Sequence, residues 1–269
     1  MATTAAVEAE LLVEQDGAVL TLTLNRPKVL NALTHGMMEG VTAALKKAER
    51  DPSVRAVVLT GSGRAFCAGA DLDHLKEAYK AGVAPKLGGE LRRWFNPMVS
   101  QIRRMEKPVI AMVNGLAAGA GASLVLACDV KFAAPTAKLI AAFGQVGLVP
   151  DSGFSRALVR GMGLSKALEH AWTAKPVGAV DAERWGLVNK VVPEAELKAE
   201  VRAFLDKVLT APPRAVALTK RSFNRAAEAE FDVHLEYEAQ LQEILGKTAD
   251  HLEGVNAFLE GRSPKFKGE

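Results

Sequence analysis

The chain has 269 residues, 49% of them hydrophobic, enough to bury a sizeable core, and a formal net charge of only +3. Its basic residues are scattered, which excludes the concentrated positive footprint of a nucleic-acid-binding protein. Residues 1–10 lack the basic and apolar regions of a signal peptide, and no run has the length and flanks of a membrane span, so a cytoplasmic location is expected.

Residues 11–15 and 18–24 read as strands around the turn Asp16-Gly17. In the second, Leu20, Leu22 and Leu24 alternate with Thr21 and Thr23, the pattern of a half-buried strand. Asn25-Arg26-Pro27 ends it. Arg26 and Lys28, taken alone, read as surface charges, although their chemistry suits a phosphate. Thr34 caps a helix to about residue 50, with Met37, Met38, Val41, Ala44, Leu45 and Ala48 on one side. Residues 56–60 form a buried strand, followed by Gly61-Ser62-Gly63. In the next stretch, Asp71 fits the N-cap of a helix over 72–80. The Ala70 N–H lies just before that helix, on a loop kept lean by Ala68 and Gly69. After a glycine-rich stretch at 81–89, a helix to about residue 105 carries Leu91, Trp94, Phe95, Met98, Val99, Ile102 and Met105 on its apolar side.

Residues 111–128, AMVNGLAAGAGASLVLAC, are the most apolar part of the chain. A buried strand enters through Pro108, Asn114-Gly115 turns the chain, and Leu124, Val125 and Ala127 have helical spacing. A strand, a glycine turn and a buried helix start present free backbone N–H groups and the positive end of a dipole. Gly119 and Gly121 let a ligand approach the backbone. The dinucleotide fingerprint is excluded because its glycine spacing and position after the first strand are missing. Close helix packing and an oxyanion hole remain, and the latter needs a second donor from elsewhere.

Short strands follow at 129–133 and 138–140. Asp151 sits in Gly147-Leu148-Val149-Pro150-Asp151-Ser152-Gly153, ahead of a helix beginning near residue 154; on this loop alone it reads as an N-cap. Helices are expected at 165–172 and 180–185 and a strand at 187–192. Beyond them no strand pattern returns, and helices are expected near 195–209, 213–229, 231–245 and 249–260. Cys67 and Cys128 read as packed, reduced thiols with neither metal nor disulfide spacing. The lone histidines His35, His170, His234 and His251 show no metal spacing, and no nucleophile elbow surrounds Ser123 or Ser152.

Taken together, five ordered motifs carry a resemblance: Asn25-Arg26-Pro27-Lys28 with Asn31-Ala32-Leu33, the stretch from Arg64 to Leu72, Val113-Asn114-Gly115 with Gly119-Ala120-Gly121, the Asp151 loop, and Glu253-Gly254-Val255 with Phe258-Leu259-Glu260-Gly261-Arg262 and Pro264-Lys265-Phe266. The chain resembles the crotonase superfamily of enoyl-CoA hydratases and isomerases over nearly its whole length. The resemblance implies an α/β fold, a spiral of repeated ββα units over residues 1–200, with a C-terminal helical region over 201–269 that assembles trimers, often hexamers. It implies an acyl-CoA thioester as substrate, with no metal or redox cofactor. The thioester oxygen would lie between the N–H groups of Ala70 and Ala120. The second position is usually glycine; alanine keeps the N–H unless φ there is one that alanine dislikes. Arg26, Ala68, Asp71 and Leu72 would lie along the CoA arm, and Phe258 and Lys265 of a neighbouring subunit near its adenine end.

A hydratase of this family uses two glutamates, and Ser123 and Phe143 stand at their positions here. What remains is Asp151, which matches the acid/base aspartate of a sub-branch resembling the 1,2-epoxyphenylacetyl-CoA isomerases. One carboxylate suits a 1,3-proton shift, and apolar neighbours Phe143, Leu148, Val149 and Phe154 would raise its pKa. The sequence therefore predicts a double-bond or epoxide–oxepin isomerase of acyl-CoA. Two alternatives remain: a 2-enoyl-CoA hydratase recruiting Asp73 or Glu77, and a non-catalytic acyl-CoA-binding protein.

Overall fold

In a computed structural model, residues 9–269 are described, apart from the side chains of His74, Leu75, Glu77 and Ala78. The leader reading thus falls mostly outside the described residues, as does an acid role for Glu77.

The first hairpin pairs β1 (Leu11–Asp16) with β2 (Val19–Leu24). In β2, Leu20, Leu22 and Leu24 are buried while Thr21 and Thr23 are half-buried, as the alternation requires. Helix α1 (His35–Arg50) starts where the Thr34 hydroxyl accepts from Met37 N–H at 3.0 Å. It buries Met37, Met38, Val41, Leu45 and Ala48 against the sheet. Each such leucine or methionine stabilises the fold by roughly 1.5–3 kcal/mol.

Three strand pairs then follow: β3 (Ala56–Gly61) with β4 (Ala65–Cys67), β5 (Val109–Val113) with β6 (Leu116–Ala118), and β7 (Val130–Ala133) with β8 (Lys138–Ile140). In each pair the first strand joins one sheet and the second joins another. The larger sheet has the order β1-β2-β3-β5-β7-β10, and the smaller β4-β6-β8-β9, where β9 is Val177–Gly178 and β10 is Lys190–Val191. From β2 to β10 the larger sheet is parallel. This is the repeated spiral that the motifs imply.

Between these pairs lie a 3₁₀ turn at Leu72–Leu75, α2 (Lys76–Lys80), α3 (Leu87–Glu90), a π-helical turn at Leu91–Phe95, α4 (Asn96–Arg104) and the wholly buried α5 (Ala120–Ala127). Helices α6 (Phe154–Met162), α7 (Leu164–Thr173) and α8 (Ala179–Arg184) follow. The expected strand over 187–192 shrinks to β10. Leu187 and Val188 N–H instead donate to Ala182 C=O, at 2.8 and 3.1 Å, closing the end of α8 after the left-handed Gly186.

The larger sheet is covered on both faces. Leu22, Leu59, Ala111 and Val113 face the main core with α1 and α5, whereas Val19, Val58, Ile110 and Phe132 pack under Leu197, Val201 and Leu205 of α9 (Glu194–Leu209). Three helices complete the chain: α10 (Pro213–Ala226), α11 (Phe231–Leu245) and α12 (Ala249–Glu260). Residue 200 falls inside α9, and helix is the only regular structure from Glu194 onward among the described residues. Lys220 anchors α10: its half-buried ammonium lies 2.7 Å from Asp129 Oδ2 and donates to the carbonyls of Ile102 and Lys107. No described helix is long and apolar enough to cross a membrane.

Consecutive turns of the spiral touch through glycines. A Cβ on Gly121 would stand 2.3 Å from Cys67 C=O, and one on Gly115 2.2 Å from Arg64 C=O. Both obstacles are backbone atoms that cannot step aside. Gly121→Ala should therefore destabilise the fold by about 1–3 kcal/mol through overpacking, read as a lower denaturant midpoint with an unchanged m-value.

Candidate active site

The first candidate donor follows β4. Leu33 bridges Ala70 in parallel: Leu33 N–H donates to Gly69 C=O at 2.8 Å, and Asp71 N–H donates to Leu33 C=O at 2.9 Å. Because N–H groups alternate along an extended strand, Ala70 N–H points away from this bridge. Among the described residues none accepts from it.

The second donor is the first residue of α5. Gly119 has φ +49° and donates to Ile140 C=O, so it absorbs the left-handed turn at the end of β6. Ala120 takes an ordinary negative φ, and alanine in place of the usual glycine costs no strain. Its N–H is among the first-turn donors that a helix leaves unused. The two loops abut: a Cβ on Gly69 would lie 3.6 Å from Ala120 N and 2.9 Å from Ala118 C=O. Two backbone donors of adjacent loops are thus brought together, one on a helix dipole.

Asp151 lies beside the same helix start. Ser123 Oγ, in the first turn of α5, donates to Asp151 C=O at 3.2 Å. The loop reaches it through consecutive left-handed residues, Ser152 at φ +52° and Gly153 at φ +81°. The side chain does not cap α6; the cap residue is Gly153, and Asp151 contributes only its carbonyl, accepting from Phe154 N–H at 2.9 Å. Its Oδ1 accepts from Ser152 Oγ at 2.8 Å. Burial pushes the Asp151 carboxyl above its ordinary value, against the lowering effect of the Ser152 hydroxyl. The apolar wall differs from the expected one. Phe143 and Phe154 are buried, edge to face with centroids 5.5 Å apart, but Leu148 is exposed and Val149 is 78% exposed. The sharp loop turns those two side chains outward.

Arg26 and Asp71 meet each other. Arg26 Nη1 lies 2.6 Å from Asp71 Oδ2 and donates to Ala32 C=O, while Nε lies 3.1 Å from Glu10 Oε1. Asp71 also caps the following turn, its Oδ1 accepting from Asp73 N–H at 3.0 Å, as expected for an N-cap. Ala68 is half-buried and Leu72 exposed on the same loop. Asp73 is itself exposed and pairs with Lys76 at 2.6 Å, a solvated helix face. Phe258 is 85% exposed on α12, and Lys265 is exposed on the tail, where its N–H donates to Glu253 Oε1 at 2.8 Å. No described contact joins either to Ala70, Ala120 or Asp151 within one chain.

Two features escaped the residue-by-residue reading. Asn31, buried at φ +58°, donates from Nδ2 to the carbonyls of Ser62, Ala65 and Phe66, at 2.9, 2.8 and 3.2 Å, and so clamps the β3–β4 turn beneath Ala70. Asparagine's tolerance of left-handed backbone is the signal that could have found it. His35 stacks on Trp94 at 4.8 Å and its Nε2 lies 2.5 Å from Glu90 Oε2, tying α1 to the segment before α4. Phe95 and Met98 are core residues, leaving Trp94 half-buried. Both cysteines are buried, and burial pushes their thiols up to about 12.

Paired sheets wound as a spiral, ending in helices, define the crotonase class of α/β enzymes. The chain belongs to the enoyl-CoA hydratase/isomerase family, whose profile matches residues 14–269. It is 39% identical over 259 residues to the 1,2-epoxyphenylacetyl-CoA isomerase of Escherichia coli (strain K12), covering 96% of this chain and 98% of that one. It is 42% identical over 249 residues to a probable enoyl-CoA hydratase of Rhodobacter capsulatus, covering 92% and 93%. Among solved structures, an enoyl-CoA hydratase from Mycobacterium smegmatis superposes with a TM-score of 0.90 at 36% identity, over 96% of this chain and 99% of that one. A putative enoyl-CoA hydratase from Streptomyces coelicolor A3(2) gives 0.90 at 33%, over 100% and 98%.

Proposed function

We propose that the protein is an acyl-CoA isomerase that moves a double bond, or opens an epoxide to an oxepin, with Asp151 as its single acid/base. The observation that carries this reading is Asp151 itself: a half-buried carboxylate with a raised pKa, hydrogen-bonded through its carbonyl to the helix turn that begins at Ala120. Ser123 and Phe143, at the positions of the hydratase glutamates, have no carboxylate to offer.

In this reading the thioester oxygen accepts from Ala70 and Ala120 N–H. Asp151 takes a proton from the carbon next to the thioester of a 3-enoyl-CoA. The electron pair spreads to the oxygen as a dienolate, and the protonated Asp151 returns the proton at the far end, leaving 2-enoyl-CoA. One proton leaves and one returns, so the cycle needs neither metal nor redox cofactor. A base with a raised pKa is well matched to this exchange near neutral pH. Arg26, paired to Asp71, and the loop from Ala68 to Leu72 would hold the CoA arm, with Phe143 walling the acyl side.

The second reading is a 2-enoyl-CoA hydratase, favoured by the names of several relatives. The two separate on solvent oxygen. With 3-enoyl-CoA in heavy-oxygen water, unlabelled 2-enoyl-CoA is expected; labelled 3-hydroxyacyl-CoA formed when 2-enoyl-CoA is supplied would establish the hydratase instead. No turnover of either substrate or of the ring epoxide would support an idle acyl-CoA binder.

A homotrimer or a hexamer of two trimers accompanies the proposal, with residues 201–269 as the assembling region. Phe223, Phe231, Leu252, Phe258 and Leu259 leave large apolar surface exposed on its helices, which supports burial against a neighbouring copy. Light scattering at micromolar concentration should give three or six chain masses.

A further inference from the structure

Against the Asp151 loop, at Ser152 and Gly153, lies a cavity of about 330 Å³ with a charge pattern the acyl-CoA reaction does not use. Arg103 of α4, Lys131 of β7, and Arg156 and Arg160 of α6 line it, together with Ser123, Ser152 and Gly153; no acidic residue does. Three of these cations are tied to the end of α10 and the turn after it. Arg156 pairs with Glu228 at 2.5 Å, Arg160 donates to Ala227 C=O, and Arg103 donates to Asn224 Oδ1. Only the first of those partners carries a negative charge.

Lys131 has no such partner: among the described residues no carboxylate lies within ion-pair distance of its Nζ. The neighbouring Asp129 is already engaged by Lys220 Nζ at 2.7 Å and Val109 N–H at 2.8 Å. Burial holds the Lys131 ammonium below its usual pKa; Asp129 opposes this and Arg103 adds to it. Gathering like charges around a concave, partly desolvated space is unfavourable unless an anion joins them. The start of α6, a helix of nine residues, reaches the cavity at Gly153 and adds its positive dipole end.

We propose that this cavity is a binding site for a small oxyanion, a phosphate or a carboxylate, held by Lys131 with Arg103, Arg156 and Arg160. Ser123 and Ser152, both hydrogen-bonded to Asp151, form its wall on the side of the Asp151 loop, and an anion there is expected to leave the CoA ester free to bind.

The test is calorimetric titration of the full-length protein with inorganic phosphate at constant ionic strength set by chloride, with and without saturating CoA. Saturable binding of one phosphate per chain is expected, indifferent to CoA. Lys131→Met should weaken it about tenfold, the ratio expected when one charge-assisted hydrogen bond is lost, while Lys131→Arg retains it. Should Lys131→Met fail to fold, Arg156→Gln on the exposed turn of α6 serves, again with weaker binding expected. Competition by succinate would identify a site that accepts carboxylates; lack of competition would restrict it to phosphate. The proposal is overturned by no saturable heat, by loss of binding in CoA (the phosphate then occupying the CoA site), or by unchanged affinity in the cavity variants.

Discussion

Asp151→Asn should lower the turnover of a 3-enoyl-CoA by about 10²–10⁴-fold, the range for losing a positioned acid/base. Thioester affinity should stay within a few-fold, because the donors at Ala70 and Ala120 are backbone groups. Asparagine keeps the volume and leaves Asp151's carbonyl contact with Ser123 in place, so the loss isolates proton transfer. The acidic limb of the wild-type pH–rate profile should lie above the ordinary aspartate range, since burial raises the Asp151 pKa. Stability should move the other way. Between the ordinary pKa and the raised one, the folded chain holds a proton that the unfolded chain has released. Stability therefore falls as pH rises through that window, and the charged carboxylate remains a burden above it. At neutral pH Asp151→Asn should melt slightly higher than wild type, and the advantage should vanish below the ordinary aspartate pKa. A variant that is inactive yet melts lower at neutral pH would contradict the assigned burial penalty.

Ala120→Pro should reduce kcat by about 10²–10³-fold, the effect of deleting one oxyanion donor. Position 120 is the first residue of α5, where proline is tolerated and its missing N–H breaks no helix bond. The preceding Gly119, at φ +49° and ψ −125°, is outside the helical region that proline disfavours in its predecessor. The helix should therefore persist, as checked by an unchanged far-ultraviolet spectrum. The proline ring carbon would also stand where the donor hydrogen points, so thioester affinity should drop with kcat. Ala120→Gly keeps the N–H and should remain active. Equal activity in the proline and glycine variants would remove Ala120 from the hole.

Much of this arrangement is legible in the sequence because it is local. Strands that alternate or run apolar, a Thr34 cap, an Asp71 cap and glycine turns after β3 and β5 are set within a few residues of each other. The spiral itself was inferred through motif order, not periodicity, since nothing in residues 56–67 states that β3 and β4 belong to different sheets. Asp151 shows the limit in the other direction. Its loop reads locally as a helix start, and only the left-handed Ser152-Gly153 pair, which makes Gly153 the cap residue of α6, shows that the carboxylate is not spent on capping. The faces of Leu148 and Val149 depend on the same sharp loop: left-handed Gly147 precedes them and left-handed Ser152 follows Asp151, and serine at φ +52° has no sequence signature. The cationic cavity was invisible because Arg103, Lys131, Arg156 and Arg160 come from three separate elements.

The hydrogen bond from Ser123 to the Asp151 carbonyl bears on how such a site could change its chemistry. Glutamate at position 123 would break that tether and bring a second carboxyl close to the first. Two carboxylates sharing one poorly hydrated pocket do not both ionise readily, so the double-acid chain would hold one of them protonated at neutral pH. Ser123→Glu is thus expected to harm a chain that retains Asp151 and to be tolerated in one that has already lost it. The serine and the aspartate would then form an epistatic pair, and a lineage moving between one-acid and two-acid chemistry would give up the first acid before gaining the second.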